Sequence, residues 1–342
     1  MPILSHFAFA ADERYSLQMK VAVASLLHAC RQKPREVHVH VLDVGIKDTT
    51  FSVMRDLWRR MMPSVVVERH VVDPQRYRNY RLWNNSLAAY ARLDLPFILP
   101  NVDWCFYLDC DVLLVSDPVE LESLLTKGLL IAGHLNPRQI TIENDARWLQ
   151  TKDMSVDIDK YVCSGVLLMN LKGMRENGAG RRAFDFIERY PDTVAPDQIA
   201  LNVVCAGRVG LLPDSWGGFP VEIVRANTCD CIHFVGAVPW KADHGWEFFL
   251  HKYRLTKLWC RFAEEFCDEP GLWTRYCGWR VAWKDRIKAL VLKPVLCFAA
   301  LTRLYPRRFE PLAQALRDRM TARAVDDAER KLFTVTVELP KK

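Results

Sequence analysis

Trp104-Cys105-Phe106-Tyr107-Leu108-Asp109-Cys110-Asp111-Val112-Leu113-Leu114-Val115 is an apolar run broken at its centre by two carboxylates one residue apart. Apolar and aromatic flanks fit a strand buried in a parallel sheet, and such sheets bind ligands where their strands end. Two like charges this close cannot both stay ionised in an apolar surround, so a divalent cation or a shared proton is the usual resolution. Asp109 and Asp111 are therefore the first site candidates.

Upstream of this stretch the pattern alternates strand and helix. Ile3 to Ala10 reads as a strand and Tyr15 to Cys30 as a helix. Glu36 to Asp43 alternates His and Val into a second strand, Asp48 to Met62 is helical, and Val65 to Val72 is a third strand. This is a βαβαβ opening. Asp73 to Trp83 reads as a polar loop, and Asn85 to Leu93 as a short helix ended by Pro96. The turns after Ala10 and around Asp109 then share one sheet edge. No Gly-rich loop follows the first strand, which argues against a dinucleotide dehydrogenase or a P-loop enzyme. Without such a loop, the phosphates of a bound nucleotide need another neutralising group, and a metal on Asp109 and Asp111 supplies one.

Downstream, Pro118 to Leu125 starts as a helix, Leu129 to Ala132 is strand-like, and Asn136 to Ile158 is polar and suits a lid or acceptor loop. Val162 to Leu171 is a further apolar strand, followed by helices over Gly180 to Tyr190 and Pro196 to Cys205. Leu211 to Phe219 is turn-like, and Cys231 to Val235 is a strand with His233 at its middle, a fitting third metal ligand. No internal repeat appears. After Gly245 the composition becomes aromatic, basic and helical.

The chain of 342 residues can bury one large core, or one core with a small appendage. The net charge of +6 is unevenly spread: nine Lys/Arg against one acid fall between Leu272 and Arg308. That segment also carries Trp273, Tyr276, Trp279 and Trp283 at helical spacings, and Lys293-Pro294 interrupts its later apolar part, so it is expected to lie on an anionic membrane rather than cross it. Eleven scattered cysteines, with Cys229 and Cys231 the one close pair, suggest reduced thiols in a cytosolic setting. Neither a signal peptide nor an apolar run long enough to span a bilayer is evident. The expected location is cytoplasmic, peripheral on the inner face of the cell membrane.

The ordered motifs resemble those of the family 8 glycosyltransferases, in particular bacterial lipopolysaccharide glucosyl- and galactosyltransferases. Phe9-Ala10-Ala11-Asp12-Glu13-Arg14-Tyr15 is similar to the family's first nucleotide-binding turn, Ser86 to Leu93 to its short helix, and Tyr107-Leu108-Asp109-Cys110-Asp111 to its DxD motif. Ser164 to Leu171 resembles the following sugar-side strand, Asp197-Gln198 the Asp-Gln helix start, and His233-Phe234-Val235-Gly236 with Pro239-Trp240 the closing metal and phosphate motif. The resemblance spans about Phe7 to Lys241.

It implies a GT-A-like (Rossmann-like) α/β fold, a mixed sheet flanked by helices over residues 1–244; composition adds a basic aromatic helical appendage over 245–342. It implies Mn²⁺ or Mg²⁺, a UDP-sugar donor, and retaining transfer of glucose or galactose to a saccharide acceptor, lipopolysaccharide or another lipid-linked glycan; no nucleic-acid partner is expected. Asp12 would accept from the base and Tyr15 stack on it; Asp109, Asp111 and His233 would hold the metal; Arg92 and Asp197 would face the donor sugar; Gln198 would lie beneath the anomeric carbon. Gly236 belongs to the phosphate motif. Two positions depart from the family: Cys163 stands where Asn is usual, at a position expected to touch the sugar, and Val238 where Lys is usual, leaving Lys241 to reach back. Two rival readings are a phosphatase of the haloacid-dehalogenase type, with Asp109 as nucleophile, and a nucleotide-sugar-binding protein without turnover.

Overall fold

Alternating His and Val in the second strand and the largely apolar helix before it build the first half of the sheet. The computed structural model describes residues 4–31, 35–82, 86–126, 128–135, 141–223, 226–235, 238–240, 253–276 and 323–333. The chain divides into two compact units, Met1–Gly217 and Gly218–Lys342. The expected boundary at 244 lies outside the described residues.

In the first unit β1 (His6–Ala11), α1 (Ser16–Cys30), β2 (His38–Asp43), α2 (Asp48–Met61) and β3 (Val66–Val71) form the βαβαβ opening, with β1 parallel to β2 and β2 parallel to β3. From Gln18 to Cys30 every residue of α1 is buried, so it packs on all sides rather than along a stripe. By contrast α2 is amphipathic, burying Phe51, Met54, Leu57 and Trp58, and the Trp58 indole donates to the Lys20 carbonyl at 3.1 Å, locking α2 onto α1. The loop over 73–82 contains a short 3₁₀ turn, Pro74–Tyr77, capped by the Asp73 carboxylate.

The Asp109 stretch departs from a single continuous strand. It is β4 (Trp104–Leu108) and β5 (Val112–Leu114), with the acids in the break between them. Nor is the sheet purely parallel: β4 runs parallel to β1 but antiparallel to β7 (Val162–Asn170), and β7 is antiparallel to β6 (Ile131–Leu135). Adding β8 (Val209–Leu211), parallel to β6, gives the seven-stranded order β3-β2-β1-β4-β7-β6-β8. A purely parallel neighbour would need a further crossover, whereas β7 returns antiparallel beside β4.

Part of the stretch expected to be a lid is α4 (Thr141–Gln150), which lies before β7. After β7, α6 of the usual amphipathic type spans Ala179–Arg189 and is preceded by the short α5 (Leu171–Glu176); α7 (Pro196–Val204) starts with Pro at its first turn, as its sequence requires. The turn-like stretch before residue 219 holds one more short strand, β9 (Trp216–Gly218).

In the second unit β10 is Cys231–His233, so His233 ends that strand rather than sitting at its middle. The helix Tyr253–Phe266 packs against the helix Arg323–Phe333 through an Arg261–Glu329 ion pair at 2.9 Å and a Phe266–Phe333 ring stack. Lys331 bonds Asp230 at 2.7 Å, tying that last helix to the residue before β10. Of the basic aromatic segment 271–308, residues 277–308 lie outside the described residues. In the described part Leu272 is buried and Tyr276 packs edge-on against Trp259. The described cysteines are free thiols, all buried. Among the described residues no helix is long and apolar enough to cross a membrane.

Candidate active site

The parallel register of β1 and β4 sets Phe7 beside Phe106 and Ala8 beside Tyr107, so the two strands deliver their following turns to one edge. There Asp109 and Asp111 line a cleft with Ala11, Tyr15, Ser86 and Arg92, and Asp12 is tied to its edge through Ser86. Asp12 caps the 3₁₀ turn Glu13–Tyr15: its Oδ1 accepts from the Arg14 amide at 3.0 Å, and its Oδ2 accepts from the Ser86 hydroxyl at 2.8 Å. The Asp12 carboxylate is thus held in place by groups from two distant parts of the chain. Tyr15 is half-buried, and burial followed by the nearby Asp111 charge raises its phenol, which stays protonated.

Arg92 organises the sugar side of the cleft. The last residues of a 3₁₀ helix, Ala88–Asp94, drive its side chain inward, where it is 4 % exposed. Its Nε donates to the Ala89 carbonyl at 2.9 Å, one terminal nitrogen donates to the Ser164 carbonyl, and the other donates to Asp109 Oδ1 at 2.8 Å. Asp197 Oδ2 lies 3.3 Å from the same Nε. Burial alone would lower this guanidinium's pKa, but the nearby Asp109 and Asp197 carboxylates outweigh it and the net direction is upward. The guanidinium also sits 4.5 Å above the Tyr107 ring, whose hydroxyl, kept protonated by burial, donates to Asp109 Oδ1 at 2.8 Å. Both bonds fall on one carboxylate oxygen and fix the plane of Asp109. Its amide continues the β4–β7 ladder, donating to the Gly165 carbonyl at 2.7 Å.

Asp197 and Gln198 open α7 and are nearly fully buried. Asp197 Oδ2 is buried and has no hydrogen-bond partner among the described residues, an acceptor available to a hydroxyl. Gln198 is oriented at both ends: Oε1 accepts from the Ser164 amide at 3.3 Å, and Nε2 donates to Asp145 Oδ2 at 2.9 Å. Asp145, on α4, also accepts from the Tyr161 hydroxyl at 2.6 Å. Burial raises the Asp145 carboxyl, and the two hydrogen bonds oppose that rise. Cys163 is a buried residue of β7, beside Ser164.

The structure therefore brings Tyr15, Arg92, Asp109 and Asp111 to one cleft, with Asp12 joined through Ser86 and Asp197 through Arg92. His233, in the second unit, is buried with its ring edge-on to Phe219 at 5.6 Å. Val238 is partly buried, while Gly236 and Lys241 lie outside the described residues. Sequence reasoning missed Ser86, Tyr107 and Asp145 as supporting groups. Asp145 had a signal: it shares a helical face with the buried Trp148 and Leu149, and a carboxylate on an apolar face needs partners. Two carboxylates two residues apart are hard oxygen donors, the chemistry that Mg²⁺ and Mn²⁺ prefer.

The fold matches solved glycosyltransferases. The crystal structure of the galactosyltransferase LgtC, in complex with donor and acceptor sugar analogs, is similar with a TM-score of 0.63 at 22% identity, covering 78% of this chain and 98% of that one. The bifunctional glycosyltransferase WbbM in its apo form gives a TM-score of 0.63 at 17% identity over 81% of this chain and 52% of that one. General stress protein A of Bacillus subtilis is 26% identical over 232 residues, 66% of this chain and 77% of that protein. A putative glycosyltransferase of Haemophilus influenzae is 23% identical over 281 residues, 78% of this chain and 80% of that protein. The mixed sheet is that of a GT-A glycosyltransferase. Residues 6–243 match glycosyl transferase family 8, and the chain belongs to that family. The phosphatase reading is thereby set aside: two βα units precede the Asp109 strand, which lies inside the sheet between β1 and β7.

Proposed function

We propose that the protein is a metal-dependent, retaining hexosyltransferase that moves glucose or galactose from a UDP-sugar to a saccharide acceptor, lipopolysaccharide or another lipid-linked glycan. The observation that carries this reading is the Asp109–Arg92–Asp197 array at the strand edge beside Asp111. Asp109 and Asp111 would hold Mn²⁺ or Mg²⁺, with His233 the third ligand that the family resemblance supplies. When bound, such an ion stabilises the charge that grows on the departing diphosphate.

The chain's own residues would do the rest. Asp12, held by Ser86, accepts from the base while Tyr15 covers its face. Arg92 holds Asp109 oriented, and the Asp197 Oδ2, ion-paired with Arg92 but without a hydrogen bond among the described residues, accepts from a donor-sugar hydroxyl. Gln198 presents its amide oxygen toward the anomeric carbon, where positive charge develops. Gly236 and Lys241 contribute to the diphosphate contact. Proton NMR of the product tests the stereochemistry: the glycosidic bond formed should keep the donor's α configuration, and a β product would overturn the retaining reading.

Two substitutions test the sugar side. Asp145→Ala leaves two buried donors, the Tyr161 hydroxyl and Gln198 Nε2, without their acceptor, at a cost of about 1–3 kcal/mol in stability. Because Gln198 loses its orientation, kcat should fall by roughly tenfold while KM for the nucleotide sugar changes little; an equal rise in KM with kcat intact would mean that Asp145 serves the fold alone. Cys163→Asn replaces a weak hydrogen-bonding group with a strong one and should reorder the preference among UDP-hexoses at nearly constant UDP affinity. An unchanged ranking would remove Cys163 from the sugar site. For the basic segment 271–308, the reading is attachment to an anionic membrane surface at the cytoplasmic face. The full chain should sediment with anionic vesicles at low salt and be released at high salt; indifference to anionic vesicles would make the segment structural.

A further inference from the structure

A second cluster of metal-binding side chains lies on one face of the same sheet, across β1, β2 and β3. The parallel registers pair His6 with His38, His40 with Glu68, and Leu42 with His70, so alternate residues of β1, β2 and β3 put these imidazoles and one carboxylate on a single face. His40 is the centre of the group and is 1 % exposed. Its Nδ1 lies 3.1 Å from His70 Nε2 and 3.6 Å from Glu68 Oε1. One ligand atom from each of His40, Glu68 and His70 can be chosen so that all lie within 4.8 Å of one another. An ion about 2.0–2.1 Å from its ligands in a tetrahedral site spaces them at roughly 3.3 Å, and the two separations at His40 Nδ1 bracket that length.

We propose that His40, Glu68 and His70 form a binding site for a borderline divalent ion of the Zn²⁺ type, distinct from the Asp109–Asp111 site. The support behind the three ligands follows the usual pattern for a metal-bound imidazole. With Nδ1 on the ion, His40 carries its proton on Nε2, which lies 2.9 Å from His6 Nδ1 and donates to it. His38 Nδ1, buried and without a hydrogen-bond partner among the described residues, lies 3.6 Å from Glu68 Oε1 and completes the surround.

The two sites differ in chemistry as well as place. His40 and His70 stand on β2 and β3, whereas Asp109 follows β4, three strand positions from β3 at about 4.8 Å each. Two imidazoles and a carboxylate favour Zn²⁺ or Co²⁺, whereas the aspartate pair favours Mn²⁺ or Mg²⁺. The experiment uses the full-length Asp109→Asn/Asp111→Asn protein, stripped of metal, and follows Zn²⁺ by calorimetry and Co²⁺ by its visible ligand-field absorption. One equivalent of Zn²⁺ should bind, with excess Mg²⁺ present, and Co²⁺ should give the intense band of a low-coordinate site. Adding His70→Gln, or separately Glu68→Gln, whose side chain is 44% exposed and so tolerant of change, should weaken Zn²⁺ binding by about 100-fold or more. Circular dichroism checks that each variant is folded. Absence of Zn²⁺ binding in the aspartate variant, or binding that both His70→Gln and Glu68→Gln leave unchanged, would overturn the site and leave the cluster as a ladder of neutral imidazoles.

Discussion

Asp111→Asn and Asp109→Asn are each expected to lower turnover by ~10² or more, with nucleotide release no longer responsive to Mn²⁺. Both carboxylates sit in the break between β4 and β5, outside any helix, and the strands on either side are anchored by wholly apolar residues. The substitution keeps size and shape, so the melting temperature should change little compared with the loss of activity. Asp109→Asn also discharges the partner of Arg92 Nη2, so of the two it should perturb stability more. Steady-state nucleotide release at saturating donor, with and without added Mn²⁺, measures the effect. Unchanged turnover in either variant, with metal dependence intact, would remove that aspartate from the site.

Arg92→Lys should be nearly as damaging, although it keeps the charge. The guanidinium donates in three directions at once, to Ala89, Ser164 and Asp109, and faces Asp197 as well. An ammonium is a compact donor that cannot reproduce that fork or lie flat over the Tyr107 ring 4.5 Å away. The carbonyls left behind are buried, and truncating the residue entirely, as in Arg92→Met, removes the countercharge from Asp109 and Asp197. Breaking a buried pair in this way costs about 3–5 kcal/mol. Arg92→Lys should therefore unfold at lower denaturant with a large loss in kcat, and Arg92→Met should fold poorly. Wild-type stability and turnover in Arg92→Lys would show that only the charge at this position matters.

How much of this was readable in the sequence differs by element. His38 to Asp43 and Asp48 to Met61 carry clean periods of 2 and 3.6, so the βαβαβ opening and its parallel pairing followed from pattern and chain connection. Asp109 and Asp111 stood out because a charge pair inside an apolar run has no cheap explanation. That β7 returns antiparallel to β4 was not readable, because strands buried on both faces look alike whichever way they run. Strands of three residues, such as β8 and β9, are shorter than any period can mark. Asp145 and Tyr107 were missed for another reason: their roles come from partners 53 residues away in sequence, at Gln198, or two residues along a strand that seemed fully apolar. The imidazole cluster was visible only as His alternating with Val, since its third strand enters through register rather than sequence proximity.

The strand-edge acids are expected to serve a metal-dependent sugar transfer. The most direct test is nucleotide release by the full-length, metal-stripped protein, supplied with UDP-glucose or UDP-galactose before and after Mn²⁺ is added. Release should be near background without the ion, rise on its addition, and stay at background in Asp111→Asn. Release that is the same with and without metal, or no release with any nucleotide sugar at any metal concentration, would contradict it.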